Sequence, residues 1–491
     1  MNSLNNLQSL GFYVPELILV LSCAFTIICS LNKRTKPYYF HVAFGGLLLS
    51  LFYLFLFNSL ELYNVSLFLD LIVYDQVSYI AKIIFLLSTL FIFINSIYDN
   101  GIADERKAEF YSLVIIIVVG LFAMSSSVNL LMVYLAIEIV SIPSYLITGF
   151  VTGKESRESN EASLKYVLYG AFASALMVFG MTWLYGLTGS LYFNDISSYL
   201  LFNYDSSLAF TISILLIMVG FGYKISVVPF HYWAPDVYQG APLSVTAFLS
   251  IAPKVAGIIL ILRFFYSILI GFEGLAYFPL ISDWTFLFAV ISAITMTFGN
   301  VIAIQQDNVR RMLAYSSISH MGFVLIGMCV VDTDAILHIL FYLIMYMFMT
   351  LGAFFIVQFV ESFLKRKNIT EWSGLAYKYP VLSAMMVINL IALAGLPPSS
   401  GFVIKFYLLA SLIQSKSYFW LAIVAVINSV ISLYYYFKLV KAMYLDGEEE
   451  EIKIVKVPNI LNYLIIILSI QGLLFYLYWS PLYSYLSGIF K

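Results

Sequence analysis

Five ionisable side chains stand where a membrane-soluble chain ordinarily places none. Glu138, in LLMVYLAIEIVSIPSYLI, and Lys254, in SVTAFLSIAPKVAGIILIL, each fall near the middle of an apolar run. Lys224 lies near the end of another, Lys405 follows LAGLPPSSGFVI, and His320 is central in MLAYSSISHMGFVLIGMCVV. A charge at the bilayer centre costs about 2.5–3.5 kcal/mol on insertion scales, so it persists where it faces a partner or a water-filled cavity. Glu138 is the one carboxylate that the reading places at mid-membrane, against three deep lysines. One ion pair would leave two amines to be accounted for. The proton affinity of a buried amine depends on whether an opposite charge is close, and an unperturbed imidazole titrates near neutrality. Residues of these types in this setting suit the loading and unloading of protons. For any single pair, a structural bridge between helices is the plainer alternative. Lys82, close to the start of its run, is expected to snorkel to the interface in a structural role.

The elements that must hold these residues follow from composition. Of 491 residues, 62% are hydrophobic and 11% charged, where a soluble chain carries about 25% charged. Apolar runs of about 20 residues recur throughout, each long enough to cross a core of about 30 Å as a helix. They lack the alternation of barrel strands. The chain reads as an all-α polytopic membrane protein with fourteen spans: 14–31, 38–57, 77–98, 109–127, 128–150, 163–189, 208–230, 243–263, 280–304, 312–331, 335–360, 381–415, 418–443 and 459–480. The first run is too long for a signal-peptide core and ends in LNKRTKP, so it is read as a retained span. Taken as one span, 381–415 gathers most loop Lys and Arg on one side, leaving Arg263, Lys416 and Lys491 on the other. The positive-inside rule then places both termini outside.

Two spans are interrupted. Pro229 follows Lys224 by five residues, and Gly395, Pro397, Pro398 and Gly401 precede Lys405. A mid-span proline removes a backbone hydrogen bond and clashes with the preceding turn. The groups it frees survive at membrane depth only where protein or water satisfies them. Helices 7 and 12 are therefore expected to be discontinuous, with a lysine beside each break, as at transporter sites. A proline kink without an ion role is the simpler alternative at either one. The breaks are five spans apart, so the two helices cross in opposite directions. Residues 109–263 (spans 4–8) and 280–443 (spans 9–13) would then be inverted five-helix repeats, preceded by spans 1–3 in 1–108 and followed by span 14 in 459–491. Under this mapping Glu138 corresponds to His320, and Glu138, Lys224, Lys254, His320 and Lys405 form one row. Pro229 opens span 7 so that water and freed carbonyls reach Lys224.

Other chemistries find little support. The net charge of −2 gives no case for nucleic acid. His41, His231, His320 and His338 are scattered over spans 2, 7, 10 and 11 without i, i+4 spacing, and Cys23, Cys29 and Cys329 form no cluster, so a metal or iron–sulfur site is not expected. DGEEEEIKIVKVP, 446–458, reads as a solvated cytoplasmic loop, and 63–76 as a short outside hairpin or interfacial segment. The 38 tyrosines and 42 phenylalanines are read as packing or lipid-facing residues.

YKISVVPFHYWAPDVYQGAP, VRRMLAYSSISHMGF, LAGLPPSSGFVIKFYLL and the glutamate of YLAIEIVSIPSYL resemble the antiporter-like N subunits of bacterial NADH–quinone oxidoreductase (respiratory complex I), relatives of Mrp-type cation/proton antiporters. The resemblance covers nearly the whole chain. It implies a bacterial inner-membrane subunit that conducts protons, coupled to quinone reduction elsewhere in the complex. Glu138 matches the family's span 5 glutamate, which pairs with the span 7 lysine, here Lys224. Lys254 matches the central span 8 lysine, Lys405 the span 12 lysine near the outlet, and His320 the span 10 histidine. His231 also matches and is read as lining the break. The resemblance implies no cofactor in this chain, with NADH, FMN, iron–sulfur clusters and quinone in other subunits. It also implies the M and K membrane subunits as neighbours. A sodium/proton antiporter subunit and a structural scaffold are the alternatives.

Overall fold

A backbone in hydrocarbon has no water to bond, so an apolar run closes its hydrogen bonds within a helix. In the computed structural model this holds along almost the whole chain. The structure describes residues 5–32, 34–57, 65–151, 156–202, 208–270, 279–330, 332–416, 418–447 and 455–489. The helices up to the first break are α1 (Asn6–Phe12), α2 (Val14–Leu31), α3 (Tyr39–Phe57), α4 (Gln76–Ser96), α5 (Lys107–Ser126), α6 (Leu130–Thr148), α7 (Ser156–Thr188), α8 (Phe193–Phe202) and α9 (Leu208–Ile225). The middle of the chain forms α10 (Trp233–Gly240), α11 (Leu243–Leu249), α12 (Ala252–Phe265), α13 (Pro279–Ile304) and α14 (Val309–Leu325). It ends with α15 (Thr333–Leu364), α16 (Leu375–Lys378), α17 (Pro380–Ala394), α18 (Ser400–Gln414), α19 (Phe419–Tyr444) and α20 (Asn459–Ile489). Among the described residues, 13 segments are long and apolar enough to cross a membrane. The shorter apolar pair α17 and α18 fills the stretch read as span 12.

That stretch breaks as its sequence requires. Gly395 takes a left-handed backbone, φ 82°, at the end of α17, the usual place for glycine after a helix. Ser399 then caps α18, its hydroxyl accepting from the Phe402 amide at 3.4 Å. Span 7 stops earlier than expected. α9 ends at Ile225, four residues before Pro229, where Ser226 turns left-handed at φ 56°. The chain then runs into α10. Span 8, expected as one helix over 243–263, is also divided: α11 ends at Leu249 and α12 begins at Ala252. Pro253, in the first turn of α12, is tolerated there because its missing amide would lack a partner anyway.

Residues 63–76 contain the expected hairpin: β1 (Val65–Leu67) pairs antiparallel with β2 (Ile72–Tyr74). Most of the glutamate-rich loop, 448–454, lies outside the described residues.

Contacts divide the chain into two units. The first takes Met1–Phe93, Ile102–Ile225 and Ala252–Ile281; the second takes Ile94–Gly101, Ser226–Ile251 and Ser282–Lys491. In the first, α9 packs along α7, α6 lies against α5 and α7, and α12 contacts both α5 and α9. In the second, α15 is the central element, touching α11, α17, α18 and α20, while α10 packs on α14.

Candidate functional site

The first unit holds Glu138, Lys224 and Lys254. Lys224 lies in the last turn of α9, 2% exposed. Its Nζ donates to Ser141 Oγ at 3.0 Å. Ser141 is three residues after Glu138 on α6, so hydroxyl and carboxylate share one helix face. Glu138 in turn accepts from Ser174 of α7 at 2.7 Å and lies within electrostatic reach of Lys224. The freed carbonyls expected to meet Lys224 are thus replaced by a serine. Spacing alone held the clue: EIVS sets Ser141 at i+3 from Glu138.

Lys254 stands in the first turn of α12, fully buried. One turn further along the same face, Gly257 lets the end of α9 lie directly on α12. A Cβ there would stand 2.4 Å from Ile225 Cγ2 and 3.6 Å from Lys224 Cβ. Lys254 thus stands one helical turn before the residue over which the Lys224 stem packs.

One sequence expectation in this unit is corrected. Lys82 does not snorkel. It is 3% exposed and pairs with Glu16 of α2 at 2.6 Å, above the rings of Tyr74 and Phe122. A lysine this far from water needs a carboxylate, and the chain supplies it from another span. Glu16, in the first turn of α2, and, in the second unit, Glu361, in the last turn of α15, are buried carboxylates at helix ends, whereas Glu138 lies in the middle of α6. Arg263, at the far end of α12, binds Asp75 at 2.9 Å. Burial alone would raise the Asp75 carboxyl, but the guanidinium and the Ser78 hydrogen bonds outweigh it and hold the group below the usual carboxylate range.

The second unit holds His231, His320 and Lys405. His320 is buried on α14, its Nδ1 2.6 Å from the Tyr342 hydroxyl and its Nε2 3.5 Å from that of Tyr436. Tyr436 bonds onward to Ser316. With a hydroxyl at each ring nitrogen, the imidazole can accept a proton on one side and release one on the other. These tyrosines were among the aromatic residues given no role from sequence. Nothing in their spacing separates them from packing residues.

Lys405 meets the freed carbonyls of a break. Its Nζ donates to Leu393 O at 3.2 Å and Ala394 O at 2.8 Å, the open C-terminal end of α17. A cation is favoured there by the unpaired carbonyls and the helix dipole. The Phe323 ring lies 4.4 Å below it. A Cβ on Gly395 would stand 2.8 Å from Lys405 Cδ, on a backbone that already favours glycine. Gly395→Ala is expected to cost about 1–2 kcal/mol from the left-handed backbone alone and to displace Lys405. A lower thermal midpoint of the purified complex checks it; an unchanged midpoint would contradict it. His231 lies two residues past Pro229, buried against the Phe298 ring at 4.6 Å. Its Nδ1 has no hydrogen-bond partner among the described residues.

Also in this unit, Arg310 and Arg311 at the start of α14 hold α10. Arg310 Nε donates to Glu361 at 2.6 Å, and its Nη1 to Gln239 O at 3.1 Å and Ala241 O at 3.0 Å. Arg311 Nη1 bonds Asp236 at 2.7 Å. From sequence both arginines counted only as loop charges. Among the described residues, no three His, Cys, Asp or Glu side chains gather as a metal site.

Comparison with known proteins places this arrangement. The family model described as NADH:quinone oxidoreductase/Mrp antiporter, TM, matches residues 127–432. The chain is 38% identical over 488 residues to an NADH-quinone oxidoreductase subunit N 2 of Chloroherpeton thalassium, covering 96% of this chain and 92% of that protein. It is 36% identical over 505 residues to the subunit N 2 of Sorangium cellulosum, with 99% and 98% covered. A chain of respiratory complex I from Thermus thermophilus superposes with a TM-score of 0.78 at 26% identity, covering 96% of this chain and 98% of that one. A chain of the Mrp complex from Dietzia sp. shares the fold, with a TM-score of 0.81 at 20% identity, covering 97% of this chain and 96% of that one.

Proposed function

The chain belongs to the NADH:quinone oxidoreductase/Mrp antiporter family, among its subunit N members, and from that premise we propose that Glu138, Lys224, Lys254, His320 and Lys405 are its proton relay. It is an antiporter-like, proton-translocating membrane subunit of NADH-quinone oxidoreductase. Oxidation of NADH and reduction of quinone take place in other subunits of the complex, where the FMN and iron–sulfur clusters also sit. The M and K subunits flank this one in the bacterial inner membrane, and both termini face outward.

The observation that carries the reading is the Lys224 amine on Ser141, one turn from Glu138 on the same helix face. The serine holds the amine beside the carboxylate without a direct bridge. Bringing a carboxylate within about 4–6 Å of an amine changes its proton affinity about 10- to 1,000-fold. That is comparable with the roughly 2.3 kcal/mol that 100 mV of membrane potential exerts on one charge. When Glu138 is close, Lys224 keeps its proton. When Glu138 withdraws, the proton moves on to Lys254. His320 receives and hands on a proton between Tyr342 and Tyr436, and Lys405 releases it outward. Pro229, Pro397 and Pro398 lie in the breaks that follow the half-helices α9 and α17, and His231 lines the first break. The two inverted repeats, 109–263 and 280–443, supply three and two members of the row.

Sodium transport fits less well. The carbonyls that a bare cation would seek at the second break, those of Leu393 and Ala394, are occupied by the Lys405 ammonium. The Ser399 hydroxyl is engaged as a helix cap. Glu138→Gln keeps the shape and the Ser174 hydrogen bond but removes the charge. In vesicles carrying the assembled complex, its proton-pumping rate is expected to fall at least about tenfold, with no dependence on sodium. Wild-type pumping by this variant, or pumping that requires sodium, would overturn the reading.

A further inference from the structure

A second imidazole stands outside the relay. His338, in the second turn of α15, is buried. Its Nδ1 lies 2.5 Å from Ser411 Oγ of α18, and its Nε2 lies 3.2 Å from the Tyr483 hydroxyl of α20. The Tyr483 ring stacks on Tyr407 of α18, with centroids 4.9 Å apart and planes 15° apart. Tyr407 is itself 5.0 Å from the imidazole. α20, which carries Tyr483, leaves helical backbone geometry at Tyr478, three residues before Pro481.

The cluster lies between Lys405 and the ends of α18 and α15. Ser411 follows Lys405 by six residues on α18, about 9 Å of helical rise, and α18 ends three residues later. α15 begins five residues before His338. Its cap Asp332 and its first-turn Asp334 are exposed and within electrostatic reach of the imidazole. Asp334 precedes His338 by four residues and so shares its helix face. His338 therefore meets proton-carrying groups on three sides: Asp332 and Asp334 at the start of α15, Ser411 and Tyr407 on α18, and Tyr483 on α20. Packing alone would be served by phenylalanine, without the need to satisfy buried imidazole and hydroxyl groups.

We propose that His338, Ser411, Tyr407 and Tyr483 form a proton port linking Lys405 to the membrane face where α15 begins, with Asp332 and Asp334 at its mouth. The proposal rests on Lys405 being a relay member. The Lys405 ammonium gives up its proton, the imidazole gains one on the Ser411 side and loses one on the Tyr483 or Asp334 side, and the aspartates pass it to water. The charge count assigns that face to the outside, so the port serves release.

The test compares His338→Gln, Asp334→Asn and Lys405→Met in vesicles carrying the complete complex, measuring proton pumping from about pH 5.5 to 7.5, where imidazole ordinarily titrates. Glutamine keeps hydrogen bonds to Ser411 and Tyr483 but does not titrate. His338→Gln is expected to pump severalfold more slowly and to lose the pH dependence over this range. Wild-type rate and pH profile in His338→Gln, with pumping lost in Lys405→Met, would overturn the port while the relay stands. Undiminished pumping in Lys405→Met would overturn the relay and the port together. If His338→Gln does not assemble, Asp334→Asn decides, because its side chain is exposed: a shifted pH profile supports the port and an unchanged one overturns it.

Discussion

Arg310→Ala is expected to cost about 3–5 kcal/mol and to keep the subunit from accumulating in the membrane. The guanidinium is the partner of Glu361, which is 3% exposed. Removing it leaves a buried carboxylate without its cation, the costly way to break such a pair. It also strips the donor from Gln239 O and Ala241 O at the end of α10, where a helix has carbonyls that it cannot satisfy itself. α10 follows the first proline break, so its anchorage fixes where the chain goes after Lys224 and His231. Replacing both partners by apolar residues, Arg310→Met with Glu361→Met, is expected to recover part of the loss, since an apolar pair often substitutes for a buried bridge. Subunit abundance in membranes and the thermal midpoint of the purified complex check both. A stable, abundant Arg310→Ala subunit would contradict the assignment.

The parts of the fold that depend on solvent were legible in the sequence. Runs of about 20 apolar residues leave the backbone one way to satisfy itself, so the helices and their number followed from hydropathy. Gly395, Pro397 and Pro398 marked the second break because each acts on its own stretch of backbone, whatever surrounds it. Breaks set by tertiary contacts were harder. The division at Ser250–Ile251 follows SIAP, a weak local signal inside an otherwise continuous run. Intramembrane charges were visible, because a lysine in an apolar run is conspicuous. Their partners were not, since these come from distant sequence: Glu16 for Lys82 across 66 residues, and Ser141 for Lys224 across 83. The tyrosines around His320 were hidden among 38 of their kind. At the candidate site the charged residues stood out in the sequence, while the hydroxyls bonded to them needed coordinates.

Lys224→Ala carries the other large expected effect, because it removes the amine on which the proposed relay turns. The lysine's stem is packed over Gly257 and its head is bonded to Ser141, so alanine leaves a small void beside polar groups that are satisfied elsewhere. Ser141 still bonds the Ile137 carbonyl at 2.7 Å, and Glu138 still accepts from Ser174. The helices should therefore stay in place, while the carboxylate loses its titrating neighbour. Proton pumping by inverted vesicles, normalised to the amount of assembled complex, is the most direct measurement. A fall of at least about tenfold at wild-type abundance is predicted, because without the amine no proton can be loaded next to Glu138. Pumping at the wild-type rate from the same amount of complex would contradict the claim that this buried lysine carries the proton.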